Sequence, residues 1–311
     1  MSVLPSVSVV MAAYNYRAFI GEAIASALSQ THPLQQLVII DDGSTDGTGE
    51  WLQAHFRDHP QIDLICRENR GQLACFVEGA ARASGEILAF LDADDLWEPT
   101  YLARIAAVYA EQAQVDFVYT NLAFFGDRDG VFSAETRSRD LGLSVLLGAY
   151  EPVWQATATS ALSLRRALAQ RVLDIPPDYH VLSRTRADDW LNCGADILGG
   201  RKYYLAEPLA RYRAHGGNVW LGRQKEALSE HQHWIAVEKM LGFYRRKAGL
   251  PPESEARLRG RAKHEFRTKQ TPTFEELRHY QRMLKGSKLS WNQRLEHWVA
   301  MWAHYRRQRR P

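Results

Sequence analysis

Apolar and β-branched residues occur along this chain in short runs, each stopping at a polar cluster. Residues 6–12, Ser-Val-Ser-Val-Val-Met-Ala, lead into Ala13-Tyr14-Asn15-Tyr16 and then a helical pattern through Ser29. Leu37 to Ile40 ends in Asp41-Asp42-Gly43-Ser44-Thr45-Asp46-Gly47. The pattern then predicts a helix from about Thr48 to Arg57, a strand from Ile62 to Cys66, a helix from about Gln72 to Ala83 and a strand from Ile87 to Leu91. Such alternation predicts an α/β fold, a mostly parallel, doubly wound sheet with right-handed crossovers. Ligands bind these sheets beyond the carboxyl ends of the strands. Tyr14-Asn15, Asp41-Asp42-Gly43-Ser44, Asn69-Arg70-Gly71-Gln72 and Asp92-Ala93-Asp94-Asp95 all follow predicted strands, so they are expected on one rim.

After a further strand at Asp116-Phe117-Val118-Tyr119 the pattern loosens through residues 126–138, which read as a mobile loop or a plain hairpin. Apolar periodicity returns over residues 141–168. A second polar cluster, Arg186-Ala187-Asp188-Asp189-Trp190, opens a helix reaching Gly199. The strand-like Lys202 to Leu205 then leads to Arg211-Tyr212-Arg213-Ala214-His215. Beyond Gly217 the chain reads as helices separated by Gly249-Leu250-Pro251-Pro252, which sets a boundary near residue 220 between a domain at 1–220 and a helical region at 221–311.

With 45% apolar and 24% charged residues, the 311-residue chain is ordinary for a folded domain, which excludes disorder and repeat arrays. No basic, apolar leader opens it and no run of about 18 apolar residues occurs, so a cytoplasmic protein without a membrane span is the expectation. Cys66, Cys75 and Cys193 are too few and too irregular for a disulfide framework or a zinc site, and are expected as buried thiols. The net charge of +3 hides an asymmetry: from Pro251 onward 15 Lys and Arg face 6 Asp and Glu, leaving an acidic body and a basic tail.

In that tail Trp291, Leu295, Trp298, Val299, Trp302 and Tyr305 fall on one helical face, followed by Arg306, Arg307, Arg309 and Arg310. An aromatic stripe beside a cationic cluster suits the inner, anionic face of a membrane, contacted peripherally. The alternative is that the stripe packs on the first domain or on a second subunit, so oligomerisation stays open. Nucleic acid is not an expected partner, because the body is acidic and no nucleic-acid motif is present.

Three carboxylates where an apolar strand stops, Asp92, Asp94 and Asp95, are placed to hold a hard divalent cation. The competing explanation is a solvated turn that caps a helix near Pro99. The glycines at 43 and 47 match no phosphate loop, and Asp-Gly-Ser-Thr-Asp-Gly reads as a turn whose Ser or Asp caps the next helix. Asp188 and Asp189 are either first-turn helix acids or a catalytic base.

Taken in order and spacing, Ser8 to Asn15, Ile40 to Asp46, Asn69 to Asp95, and Asp188-Asp189-Trp190 with Tyr212-Arg213-Ala214-His215 resemble the family 2 inverting glycosyltransferases with a GT-A fold. The likeness covers about residues 6 to 218. It implies a GT-A, Rossmann-like sheet flanked by helices, here with a helical C-terminal extension. It also implies metal-dependent transfer of a sugar from a nucleotide-diphosphate donor, a UDP-sugar being favoured, to a hydroxyl of a cell-surface glycan or a lipid-linked glycan precursor.

By position, the resemblance makes Tyr14 the ring stacked on the base and Asp42 the carboxylate hydrogen-bonded to it. Asp92 and Asp94 become the outer residues of an Asp-X-Asp motif for the ribose and the metal-bridged diphosphate, and Ala12, Gly71, Gln72 and Ala93 join the donor-binding set. Asp94 and His215 are the implied contacts to Mn2+ or Mg2+, and Asp189 the implied general base. The chain departs from the family in Ala12-Ala13, where Pro-Thr is more usual, and in Asp188-Asp189, where Glu-Asp is usual; the second departure keeps Asp188 as a competing base. A nucleotidylyltransferase shares the architecture, but Ala12-Ala13-Tyr14-Asn15 has no glycine or charge to hold a triphosphate. A degenerate nucleotide-sugar-binding module is the non-enzymatic alternative, against which stands the joint presence of Asp92, Asp94 and Asp189.

Overall fold

The computed structural model describes residues 3–216 and 227–309. The expected boundary near residue 220 lies outside the described residues, as does Arg310. In chain order the first half comprises β1 (Val7–Ala13), α1 (Ile20–Leu28), β2 (Gln36–Asp41), α2 (Thr48–Phe56), β3 (Ile62–Cys66), α3 (Gln72–Arg82), β4 (Ile87–Phe90), β5 (Leu96–Trp97), α4 (Tyr101–Glu111) and β6 (Phe117–Gly126). Then come β7 (Gly130–Val131), β8 (Arg139–Gly142), α5 (Val145–Tyr150), β9 (Leu162–Arg165), α6 (Arg166–Leu173), α7 (Ala187–Ile197) and β10 (Lys202–Ala214). Five helices complete the chain: α8 (Ala227–Lys247), α9 (Glu255–Arg259), α10 (Ala262–Phe266), α11 (Phe274–Met283) and α12 (Trp291–Gln308).

One sheet runs β3-β2-β1-β4-β9-β6-β10-β5. β3, β2, β1 and β4 are mutually parallel, as the alternating pattern predicts. β9 enters antiparallel between β4 and β6, and β10 returns parallel to β6. Successive strand residues feed opposite cores: Val10, Leu88, Phe90 and Phe117 join α3, α6 and α7 on one face, while Val9, Met11, Ala89 and Val118 join α1 and α4 on the other. Burial on both faces is why these strands read as unbroken apolar runs. At Gly79 of α3 an added Cβ would come within 2.4 Å of Val10 Cγ1, so only glycine permits this helix-to-strand approach.

Within the segment at 126–138 a short hairpin forms, β7 pairing with β6, and residues 132–138 are irregular. Val131 pairs with Ala123, and Asn121 holds Ser133 through Nδ2 to the Ser133 carbonyl (2.8 Å) and Ser133 N–H to Oδ1 (3.1 Å). The strand expected to stop near Leu205 continues to Ala214, with irregular pairing between Leu205 and Ala210. Cys75 is buried, Cys193 half-buried and Cys66 exposed, because Cys66 closes the edge strand β3.

The C-terminal helices share the first of the two cores. Tyr244, Phe266, Tyr280, Met283 and Met301 are buried with Leu147 and Trp190. Lys269, itself buried, donates to the Leu141 carbonyl (2.6 Å) and to Ser144 Oγ (3.0 Å), and pairs with Glu276 at 3.3 Å. Burial alone would raise the Glu276 carboxyl, but Lys269, Arg139 and Thr273 outweigh it and hold the group below its ordinary value of 4.5.

Two outcomes follow from this shared core. Phe266→Ala is expected to cost about 3–5 kcal/mol, with fluorescence and circular dichroism reporting one common denaturation transition; separate transitions for the two halves would overturn it. The contribution of Glu276 is fully present above pH 4.5 and is lost as pH falls through its lowered folded value, so Glu276→Gln should shallow the acid limb of a stability profile.

Candidate active site

The rim beyond β1, β2 and β4 is assembled by side chains that bind neighbouring loops. Asn15 has φ 61°, the only positive φ outside glycine among the described residues. Asparagine tolerates that conformation. The residue is fixed there by its N–H donating to Ser44 Oγ (2.9 Å) and by Thr45 N–H donating to its Oδ1 (2.8 Å). Asp46 Oδ1 accepts from Thr48 N–H (3.0 Å) at the start of α2, but the N-cap position itself is Gly47, which has no side chain to cap with. Tyr14 projects beside this junction and is 47% exposed, a ring open to stacking.

Asp42 is buried and organises the third loop. Its Oδ1 accepts from Arg70 N–H (3.0 Å) and pairs with Arg67 (3.0 Å), while Oδ2 accepts from Gly71 N–H (2.6 Å). Gly71 adopts φ +89°, and a Cβ there would lie 2.9 Å from Arg184 Cα. A glycine is therefore required where the segment before α7 crosses the rim.

Gln72 ties that crossing to the acidic cluster. Its Nε2 donates to Asp92 Oδ1 (3.1 Å), and its Oε1 accepts from Ala187 N–H at the start of α7 (3.2 Å). Of the three acids after β4, each has its own environment. Asp92 N–H donates to Ser160 Oγ (3.0 Å), and burial, then Asp94 and Asp188, push its carboxyl upward. Asp94 Oδ2 lies 3.0 Å from His215 Nε2. Asp95 is fully buried, accepting from Ser160 Oγ (2.6 Å) and from Arg213 N–H (2.8 Å), and burial first and its acidic neighbours second raise it well above the usual range. None of them caps α4, whose N-cap Thr100 makes no side-chain cap and is preceded by the short strand β5.

Ala12 and Ala93 contribute only backbone at this rim. Ala12 lies in β1 opposite Ile40, and the Ala93 side chain points into the second core. Arg213 serves as scaffold, with Nε donating to the Asp94 carbonyl (2.7 Å) and Nη2 pairing with Glu22 (2.7 Å). Arg211 stands at the surface near Glu98.

Asp188 and Asp189 occupy the first turn of α7, as either explanation of them requires. Asp188 is desolvated, and it raises Asp92 by like charge. Asp189 is forked by Arg186, Nε to Oδ2 at 3.1 Å and Nη2 to Oδ1 at 3.2 Å. Arg186 Nη1 in turn donates to His233 Nε2 of α8 at 2.9 Å.

Several residues of the site are not singled out by sequence reasoning. Tyr16 and Tyr212 are held as neutral phenols by burial and by the acidic cluster; Tyr212 lies inside a quoted motif and Tyr16 directly after one. Arg186 sits three residues before Asp189, a helical spacing that could have flagged it. Ser160 carries no such signal. Among the described residues, no group of three or more His, Cys, Asp or Glu is arranged as a metal cluster.

Residues 8–172 match the family model described as glycosyl transferase family 2, slightly more than half the chain. The chain belongs to that family. An uncharacterized glycosyltransferase of Nostoc is 37% identical over 217 residues, covering 68% of this chain and 66% of that protein. TuaG of Bacillus subtilis, named a putative teichuronic acid biosynthesis glycosyltransferase, is 38% identical over 101 residues, covering 32% and 40%. The chain thus spans just under two-thirds of the first relative and less than half of the second. In fold, residues 1–349 of S. aureus TarS, solved in complex with UDP-GlcNAc, superpose with a TM-score of 0.54 at 16% identity, covering 97% of this chain and 92% of that one. The likeness establishes the GT-A architecture.

Ser160 bridges two of the three acids, which makes it a sharp test of how the rim is held. Ser160→Ala leaves Asp95 Oδ2 and Asp92 N–H without that partner and is expected to lower unfolding free energy by about 1–3 kcal/mol, measured by urea denaturation. An unchanged midpoint would show that water replaces the hydroxyl.

Proposed function

We propose that the chain transfers a sugar, with inversion, from a nucleotide-diphosphate donor, a UDP-sugar by preference, to a hydroxyl of a cell-surface glycan or its lipid-linked precursor. The observation that carries this reading is the bridge made by Gln72. One side chain joins Asp92, on the donor side, to the N-terminus of the helix that bears Asp189. That bridge holds the rim after β4 next to the acidic helix start, which supports a single site shared by donor and base.

Tyr14 stacks on the base, and Asp42 hydrogen-bonds it. Asp92 binds the ribose. Asp94 Oδ2 and His215 Nε2 form a mixed oxygen and nitrogen donor pair suited to Mn2+ or Mg2+, and the mutual repulsion of Asp92, Asp94, Asp95 and Asp188 is the charge that such an ion offsets. A divalent cation bound there supplies Lewis-acid stabilisation of the departing diphosphate. The acceptor hydroxyl gives its proton to Asp189 as its oxygen bonds to the anomeric carbon, and the bond to the diphosphate breaks with its electron pair leaving on phosphate oxygen. Arg186 positions Asp189 by gripping both oxygens. Asp188, desolvated and near enough to Asp92 to raise it by like charge, serves the donor side instead. The relatives named for polysaccharide synthesis support the acceptor class, and the TarS complexes with UDP and UDP-GlcNAc support the nucleotide.

Calorimetric titration with UDP, GDP, dTDP and CMP, each with Mn2+ and with EDTA, tests the donor site. Metal-dependent binding of UDP, lost in Asp94→Asn, is expected; no binding to any of the four would favour the degenerate module. Asp189→Asn should keep nucleotide affinity within about twofold while turnover falls by about 10²–10⁴, and Arg186→Gln should lower kcat with little change in KM. Activity retained in Asp189→Asn but lost in Asp188→Asn would transfer the base role.

A further inference from the structure

On α12 two faces are distinct. Met301, His304 and Tyr305 are buried against the body, whereas Trp291 (73% exposed), Leu295 (46%), Trp298 (43%) and Val299 (53%) point outward. The outward residues recur at helical spacing and so form a single stripe. Half-buried Trp302 stacks on Trp298 of the stripe (centroids 6.2 Å apart) and on the buried Tyr305 (5.6 Å), and half-exposed Phe274 from α11 meets Trp302 edge-on at 6.1 Å. Monomeric proteins rarely expose contiguous apolar surface of this kind without a use for it.

Cations border the stripe. The Arg306 guanidinium lies 5.8 Å from the Trp302 ring and that of Arg309 lies 5.3 Å from Tyr305, while Arg307, Lys285 and Lys288 are exposed at the two ends. The one acid of α12, Glu296, is paired with Lys263. No helix among the described residues is long and apolar enough to cross a membrane.

We infer that this outward face of α12 is a peripheral membrane-binding surface, lying in the plane of an anionic bilayer. Tryptophan rings seat at the level of lipid headgroups, and arginines beside them pair with anionic phosphates. A second copy of the chain is a poorer occupant, since a two-fold contact brings the same patch against itself and sets like charges together. The inference does not rest on the transfer reaction, and a failure to bind nucleotide leaves it standing.

The test is flotation of the full chain with phosphatidylcholine vesicles, with and without phosphatidylglycerol. Flotation only with the anionic vesicles, weakened by salt, is expected. The double variant Trp298→Glu/Val299→Glu should weaken it by about tenfold or more, Arg306→Glu/Arg307→Glu should weaken it at low salt, and Trp234→Glu, on an exposed tryptophan of α8, should leave it unchanged. Circular dichroism confirms that each variant is folded. Absence of flotation, flotation undiminished in the first variant, or a concentration-dependent dimer dissolved by that variant without lipid binding would each overturn the proposal.

Discussion

The crowding of carboxyl groups in a rim that excludes water is the constraint on which this structure turns. Asp92, Asp95 and Asp188 are all pushed upward by burial, and Asp92 and Asp95 are also raised by neighbouring acids, so the ionised cluster works against the fold at neutral pH. What holds it is a set of hydrogen bonds from distant segments: Ser160, Arg213 N–H and Gln72. Asp95 therefore differs in kind from Asp94. Both oxygens of Asp95 are engaged, which makes it the brace linking β10 to the strand end, whereas Asp94 Oδ2 meets the ring of His215.

A second constraint acts at the other wall of the cleft. Asp189 is held by Arg186, and Arg186 by His233 of α8, so the C-terminal region reaches the proposed base through two hydrogen-bonded contacts. That region is also part of the main core through Tyr244, whose hydroxyl donates to the Val172 and Trp190 carbonyls (3.0 and 3.3 Å). Packing that orders α8 thus also orders the residue that grips Asp189. Preorganisation of this kind contributes to rate by fixing orientation before substrate arrives.

The parallel half of the sheet was legible because a strand buried on both faces is written as an uninterrupted apolar run, and because each such run here ends in polar residues. β9 was not, since Leu162–Arg165 lies within a longer apolar stretch and only its pairing with β4 and β6, far away in sequence, makes it a strand. In the site, the clusters on the donor rim could be read because each is local. The brace role of Asp95 could not, as its partners lie 65 and 118 residues away. The fork on Asp189 lay within reach of an i to i+3 argument, whereas the His233 contact, 47 residues further on, did not. The stripe on α12 was legible as a face, but which side of the helix meets the body is decided by Met301 and His304, residues that the stripe itself does not include.

This contrast explains why the donor chemistry of the chain is easier to derive than its acceptor. The loops proposed to hold the donor are tied by short contacts between consecutive βα turns, such as Asn15 to Ser44 and Asp42 to Gly71, and the fold dictates where those turns meet. The wall proposed for the acceptor, residues 174–190 and α8, is instead held by side-chain contacts. Trp190, for example, is fixed by its indole N–H to Ser183 Oγ (2.7 Å) and by packing on Phe243 and Tyr244. A wall assembled in that way can change shape by substitution without disturbing the rim proposed for the nucleotide, which is how one architecture can serve many acceptors.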